Sequence, residues 1–127
     1  MERIRIAGRF FDRAGSRPKV RDNVDLIVGD SEDTLTAFLA SVKAPISFGH
    51  IDTDTYTPCR QVLEQIKPLL QCGSVILFDQ LLGYLGYQEH ELAAVDEIFD
   101  RRECDFIAFG VAPEKGNLVK AAIAYKE

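Results

Sequence analysis

Apolar residues along the chain alternate between short continuous runs and the spacing of one helical face. Runs rich in Val, Ile, Leu and Phe predict buried strands at 24–28, 46–51 and 74–78. Two further apolar runs predict strands at 105–110 and 118–126. The connection between these last two strands is short and contains Pro and Gly, which favours an antiparallel pair.

Three helices fill the intervals between the predicted strands. The apolar residues of 30–42 and of 57–70 each fall on one helical face, and 89–100 shows the same spacing. Because Pro68 lacks a backbone donor, the second helix is expected to kink or end near it. The resulting order over 24–127, β-α-β-α-β-α-β-β, predicts an α/β fold. Its sheet is expected to be mostly parallel, with helices on both faces and an antiparallel last strand.

The first part of the chain, 1–23, does not continue this alternation. Segment 8–23 is rich in Gly, Arg, Asp and Ser, and it predicts a long polar loop that is either solvated or reaches over an anionic ligand. Segment 3–7 alternates basic and apolar residues like the remnant of a strand. At 127 residues, the chain is expected to form a single domain.

Composition narrows the class of protein. Hydrophobic residues make up 46% and charged residues 28% of the chain, which is ordinary for a globular domain. The formal net charge of −5 argues against non-specific nucleic-acid binding. No apolar run approaches the roughly 20 residues of a membrane span, and the start of the chain lacks the apolar core of a secretory signal. The three cysteines form no C-x-x-C pair, which favours reduced thiols in a cytoplasmic protein.

Polar residues follow three of the predicted strands directly, at 29–33, 52–56 and 79–80. In an open parallel sheet, ligands bind beyond the carboxyl ends of the strands. Asp52 and Asp79 end neighbouring strands, so we expect their carboxylates to converge. Such oxygen ligands suit Mg²⁺. Without a metal ion, repulsion between the two carboxylates should raise the pKa of one of them.

Other polar residues lie near this pair. Gln80 offers its side-chain carbonyl as a further metal ligand. His50 shares a strand face with Asp52 by alternation, although a histidine near a strand end is more often structural. His90, at a predicted helix start, is a weaker candidate. Any one of the acidic residues, taken singly, is also compatible with a helix cap or a turn.

The segment FGHIDTDTYTPCRQVLEQIKPLLQCGSVILFDQLLGY, at 48–84, resembles the class I S-adenosylmethionine-dependent methyltransferases related to macrocin O-methyltransferase. That family, which includes sugar O-methyltransferases, carries H-I-D-x-D-x-Y, then a Gly before an apolar strand and an acidic pair. NVDLIVGDSEDTL, at 23–35, is similar to its strand followed by Gly and D-T-L. The likeness covers about residues 15 to 125 and implies a Rossmann-like methyltransferase sheet.

The resemblance implies roles for particular residues. Asp52 lies at a position shared by the cofactor site and the metal, which makes it the catalytic candidate. Asp79 and Gln80 lie at the positions of the other two metal ligands, where Gln80 departs from the acidic version. Three residues lie where relatives hold the adenine end of the cofactor: Asp30, Ser31 and Glu32.

The implied reaction is methyl transfer from S-adenosylmethionine to a hydroxyl of a sugar or a similar small molecule. In the family, Mg²⁺ assists by binding that hydroxyl and lowering its pKa. The resemblance therefore implies two cofactors, S-adenosylmethionine and Mg²⁺, and a small-molecule acceptor.

The family normally begins with a strand, a glycine-rich turn and a helix that hold the methionine part of the cofactor. This chain contains no G-x-G. We therefore expect an amino-terminally truncated methyltransferase domain, with 1–23 as a loop or a remnant of the second strand. In the family, the absent first strand lies beside the strand that ends at Asp52, so its loss would expose a sheet edge. We therefore expect one of three outcomes: a truncated gene product, strand repair through a homo-oligomer, or a repacked sheet.

Two other functions compete with methyl transfer. One is a catalytically inactive α/β module that dimerises or pairs with a partner through the open sheet edge. The other is a Mg²⁺-dependent phosphoryl-transfer or receiver-like domain, which also gathers Asp residues at strand ends. The long first loop and the lack of a suitably placed Lys on the final strand disfavour that second alternative.

Overall fold

The computed structural model of the protein describes residues 17–112 and 118–127. Within these ranges the chain forms three α-helices and four strands, joined in part by short 3₁₀ turns. In chain order they are α1 (Ser31–Ser41), β1 (Ile46–Ile51), α2 (Tyr56–Ile66), β2 (Leu70–Leu82), α3 (Glu91–Ile98), β3 (Cys104–Ala112) and β4 (Leu118–Tyr125).

The four strands form one mixed sheet in the order β1-β2-β4-β3. β1 runs parallel to β2, whereas β4 is antiparallel to both β2 and β3. Three strands therefore point the same way and β4 opposes them. This confirms the α/β fold and the prediction of a mostly parallel sheet with an antiparallel last strand.

The strand predicted at 24–28 is wrong, because this segment joins no strand of the described sheet. Its apolar residues are partly buried except for Val28, which is 67% exposed. β-branched residues favour a strand only where a neighbour offers backbone partners. Among the described residues, β1 is an edge strand and nothing pairs with its outer side.

The hydrophobic core lies between one face of the sheet and the two helices α2 and α3, which pack on each other. We call this face the core face and the opposite one the open face. The core face carries Ile76, Phe78, Ala121 and Ile123, all buried. The expectation of helices on both faces is not met by the described residues. On the open face, Phe48 of β1 is 58% exposed.

The boundaries of α2 and β2 decide where polar residues lie. α2 ends at Ile66, and Pro68 follows within a 3₁₀ turn, as its missing donor predicts. β2 is longer than the predicted 74–78, so Asp79 and Gln80 lie inside the strand instead of after it. Among the described residues, no helix is long and apolar enough to cross a membrane.

Candidate functional site

A tight connection leads from β1 to α2. The strand ends at Ile51 and the exposed Asp52 follows it directly. The amide of Thr55 donates to the carbonyl of Thr53 at 2.7 Å, and between them Asp54 takes a left-handed backbone with φ of 63°. Among residues with a side chain, Asp and Asn tolerate this conformation best. The turn thus holds several oxygen-bearing side chains at the carboxyl end of β1.

Asp79 of β2 lies beside this turn and is held by a lysine from β4. Lys120 Nζ donates to Asp79 Oδ1 at 2.8 Å, and His50 Nε2 is 3.7 Å from the same oxygen. His50 is paired with Leu77 in the sheet register, which puts it on the same open face as Asp79. The hydrogen bond to Asp79 and then the charge of Asp79 raise the pKa of Lys120, and Asp52 adds to the effect.

A buried carboxyl lies on the other side of β2. Glu91, at the start of α3, is fully buried, and its Oε1 accepts a hydrogen bond from the backbone amide of Gln80 at 3.2 Å. Burial raises the pKa of Glu91 to about 8. The hydrogen bond from the Gln80 backbone lowers this pKa, whereas the negative charges of Asp54, Asp52 and Asp79 raise it further. A raised carboxyl pKa is thus found at this edge on Glu91, which the sequence pattern did not single out.

Polar groups with unused hydrogen-bonding capacity lie near this carboxyl. Within the described residues, the Tyr84 hydroxyl and the second oxygen of Glu91 are buried and have no hydrogen-bond partner. Burial raises the pKa of the Cys59 thiol to about 12, the charge of Glu91 contributes, and a hydrogen bond with the Thr53 side chain opposes the rise. Burial, followed by the charge of Glu91, raises the pKa of Tyr84 as well. Glu91 and Tyr84 therefore each keep a buried oxygen that can still form a hydrogen bond.

The residues predicted to hold the adenine end of the cofactor lie at the start of α1. Asp30 occupies the N-cap position, and its carbonyl accepts from the amides of Asp33 and Thr34 at 3.1 and 3.0 Å. Its carboxylate makes no capping hydrogen bond. Asp30 and Glu32 are exposed, whereas Ser31 is partly buried. These carboxylates and this hydroxyl are suitable partners for the hydroxyl and amino groups of an adenosine.

The described residues do not fit the predicted Mg²⁺ site of Asp52, Asp79 and Gln80. Asp79 Oδ1 already accepts a hydrogen bond from Lys120, and Gln80 lies in a stretch of β2 whose register with β4 is irregular. The contact that Gln80 makes there is from its backbone amide to Glu91. In the part of the chain that the structure describes, no group of three or more His, Cys, Asp or Glu side chains could hold a metal ion. Two carboxylates alone are a poor match for the near-octahedral oxygen shell of Mg²⁺. No catalytic step is therefore assigned to a metal.

Sequence reasoning missed Lys120, Glu91 and Tyr84. Lys120 lies in an otherwise apolar strand, where a lone charge signals either a strand edge or a buried partner. Glu91 suits the first turn of a helix for reasons of helix dipole alone, so its sequence position does not distinguish a buried carboxyl from a surface one. Tyr84 follows β2 in a Gly-rich turn and carries no distinctive pattern.

Comparison with known proteins agrees with the fold. The sequence model of a family described as a methyltransferase domain matches residues 3–81. The apo structure of CalS11, a TDP-rhamnose 3'-O-methyltransferase of calicheamicin biosynthesis, superposes with a TM-score of 0.68 at 25% identity, over 85% of this chain and 44% of that one. The chain thus spans less than half the length of CalS11.

A second solved structure shares the fold at lower identity. An O-methyltransferase from Bacillus cereus, in complex with SAH, superposes with a TM-score of 0.56 at 16% identity, over 80% of this chain and 50% of that one. A comparison with curated proteins found no match. The family model covers more than half of the 127 residues. The chain therefore belongs to the methyltransferase domain family and has the Rossmann-like fold of the class I S-adenosylmethionine-dependent methyltransferases.

Proposed function

We propose that the chain is an S-adenosylmethionine-dependent O-methyltransferase, or the carboxyl-terminal part of one, acting on a hydroxyl of a sugar or a similar small molecule. The observation that carries this proposal is the acidic carboxyl edge of β1 and β2 in a chain of the methyltransferase domain family. The similarity to CalS11, whose acceptor is a sugar nucleotide, favours a sugar hydroxyl.

The cofactor supplies an electrophilic methyl group on a sulfonium. The chain's own residues then have three tasks, which are to hold the adenosine, to orient the acceptor and to take up the proton of its hydroxyl. We assign the first task to Asp30, Ser31, Glu32 and Asp52, whose carboxylates and hydroxyl accept or donate hydrogen bonds. Asp52 is also the catalytic candidate, because its exposed carboxylate lies at the strand end where the acceptor would approach. Most of the rate would come from positioning.

Calorimetric titration of the full chain with S-adenosylmethionine tests cofactor binding directly. We expect saturable binding in the wild type, measured both with and without Mg²⁺. Asp52→Asn should weaken this binding and abolish methyl transfer to a panel of sugar acceptors. Asp105→Asn is the matched control, since it removes an exposed carboxylate at the opposite end of the sheet, where Asp105 pairs with Lys126. Wild-type protein that binds no cofactor under either condition would contradict the proposal.

A second function is supported by the outer edge of β1. Strand β1 bonds to β2 alone among the described residues, and an unpaired edge is a template for another strand. Phe48 of the same strand exposes 58% of its surface on the open face. We therefore propose, as the alternative, a non-catalytic module that dimerises through β1.

Sedimentation velocity over a range of protein concentrations separates the two functions. Dimerisation through β1 predicts that Phe48→Lys shifts the wild-type dimer to a monomer. Leu85→Lys is the control, because Leu85 is a fully exposed apolar residue outside the sheet and should leave the dimer intact. A wild-type protein that stays monomeric at every concentration would exclude this alternative.

A further inference from the structure

We propose that Lys120 is the resident cation of the acidic strand edge, where it occupies the Asp79 carboxylate and so competes with any divalent ion for this site. The proposal deepens the proposed function, because it concerns the same edge of the sheet. It starts from the disagreement between the predicted Mg²⁺ site and the side chains that the structure brings together there.

Lys120 and Asp79 lie on the same face of neighbouring strands. Phe78 of β2 is opposite Ala121 of β4 in the antiparallel ladder and both are buried on the core face, so the next residues, Asp79 and Lys120, lie on the open face. The register shifts directly after this pair, between Phe78 and Leu82. The contact itself is the hydrogen bond that Lys120 Nζ donates to Asp79 Oδ1 at 2.8 Å.

Asp79 and Lys120 differ in their exposure to solvent. The Asp79 side chain is only 15% exposed, whereas Lys120 is 51% exposed and reaches in from the open face. Lys120 Nζ lies 2.8 Å from Asp79 Oδ1, and His50 Nε2 lies 3.7 Å from that same oxygen. A metal ion at the Asp79 carboxylate would therefore meet the repulsion of the ammonium that this oxygen already holds, so the two cations compete.

Carboxylates accumulate at this edge. The turn after β1 places Asp52 and Asp54 at the strand end next to Asp79. Like charges this close repel each other, so a positive charge in the same place is stabilising. Asp79 and Asp52 both raise the pKa of Lys120, whose ammonium supplies that charge. Mg²⁺ at Asp79 would have to displace this ammonium or bear its repulsion.

The test measures metal binding alone, with Mg²⁺ and Mn²⁺ as the probes, and needs neither cofactor nor methyl acceptor. Lys120→Met keeps the length of the side chain and removes its charge. We expect this variant to bind Mg²⁺ at least roughly tenfold more tightly than the wild type, because the competing cation is gone. Adding Asp79→Asn to Lys120→Met should abolish the gain.

A matched control lies just beyond the other end of β4. Lys126 pairs with Asp105 at 3.1 Å at the other end of the sheet, so Lys126→Met should leave the affinity for Mg²⁺ unchanged. Lys120→Arg keeps the positive charge and should not gain metal affinity. Equal affinity in the wild type and in Lys120→Met would overturn the proposal.

A measurement on the wild type does not depend on the folding of any variant. Mn²⁺ broadens the nuclear magnetic resonance signals of groups that lie near its binding site. We expect the signals of the Lys120 and Asp79 side chains to remain sharp at Mn²⁺ concentrations that saturate Lys120→Met. Selective broadening of these signals in the wild type would overturn the proposal. Either result leaves the question of methyl transfer to the cofactor titration, so the two hypotheses can fail separately.

Discussion

The buried carboxyl of Glu91 should make the stability of this protein fall as the pH rises toward 8. In the folded state the pKa of Glu91 is about 8, compared with an ordinary value of 4.5. Between these two pH values the folded protein holds a proton that the unfolded chain has released. Stability decreases wherever the folded state binds more protons, so the loss begins near the lower value and levels off above the higher one.

The magnitude follows from the same difference. Each pH unit between the two pKa values costs about 1.4 kcal/mol, so the total loss from this one group is roughly 5 kcal/mol. Such a loss is a large fraction of the stability of a small domain. Glu91→Gln keeps a side-chain oxygen that can accept from the backbone amide of Gln80, but its side chain cannot ionise. The stability of this variant relative to the wild type should therefore rise by about 1.4 kcal/mol per pH unit from pH 5 to pH 8.

Urea unfolding at several pH values measures this difference. Far-UV circular dichroism is the suitable signal because the chain contains no Trp. Glu97→Gln is the matched control on the same helix, α3. Glu97 is partly exposed, and its hydrogen bonds from Arg60 and then Tyr56 lower its pKa. Its contribution is present above the unfolded pKa and is lost only as the pH falls through the folded one, so this variant should change its relative stability only in acid.

A constant difference between Glu91→Gln and the wild type from pH 5 to pH 8 would refute the reasoning. It would mean that Glu91 is ionised in the folded protein throughout this range. A positive slope for both Glu91→Gln and Glu97→Gln would also refute it, because the effect would then reflect the helix and not the burial of one carboxyl.

Three further predictions concern the core, the turn and the thiols. Phe78→Ala empties a fully buried site and should cost about 3–5 kcal/mol of unfolding free energy, measured by urea unfolding; a loss under about 1 kcal/mol would contradict the described core. Asp54→Ala should be about 1 kcal/mol less stable than Asp54→Gly, because only glycine adopts φ of 63° without strain, and equal stability would exclude strain at this turn. Iodoacetamide should label the exposed Cys72 first. Cys59 and Cys104 are buried, and burial raises their pKa values to about 12 and about 11, so they should react only on unfolding. Equal labelling rates for all three thiols would contradict the fold.

Hydrophobic spacing was a sufficient guide to most of the fold. The helix that ends near Pro68, the buried run at 74–78 and the antiparallel final strand all follow from local rules about donors, periodicity and connection length. These rules describe single segments, and the two strands among them find their partners in the described sheet. Segment 24–28 has the same composition but no neighbouring strand, so its local preference for a strand does not place it in the described sheet.

The candidate site was predictable only in its acidic half. In the sequence, Asp52 and Asp79 each come directly after an apolar run that predicts a strand. The carboxyl ends of parallel strands meet at one edge of a sheet, so these two residues are expected there. Lys120 reaches the same edge because β4 runs antiparallel beside β2, so it comes from near the start of its strand and not from the end. A search for polar residues after strands therefore passes over it. Glu91 was missed for a related reason, since its burial depends on how α3 packs against β2.

The charge balance of the edge depends on this combination of directions. Parallel β1 and β2 bring carboxylates together, and the antiparallel β4, on the other side of β2, brings a lysine to Asp79. A lysine one residue away on β4 would point to the core face and leave the carboxylates uncompensated. The position of Lys120 in the ladder thus determines whether this edge needs an external cation. Binding of the methyl donor depends on this edge only through Asp52, because the other three residues proposed to hold the adenosine, Asp30, Ser31 and Glu32, lie at the start of α1.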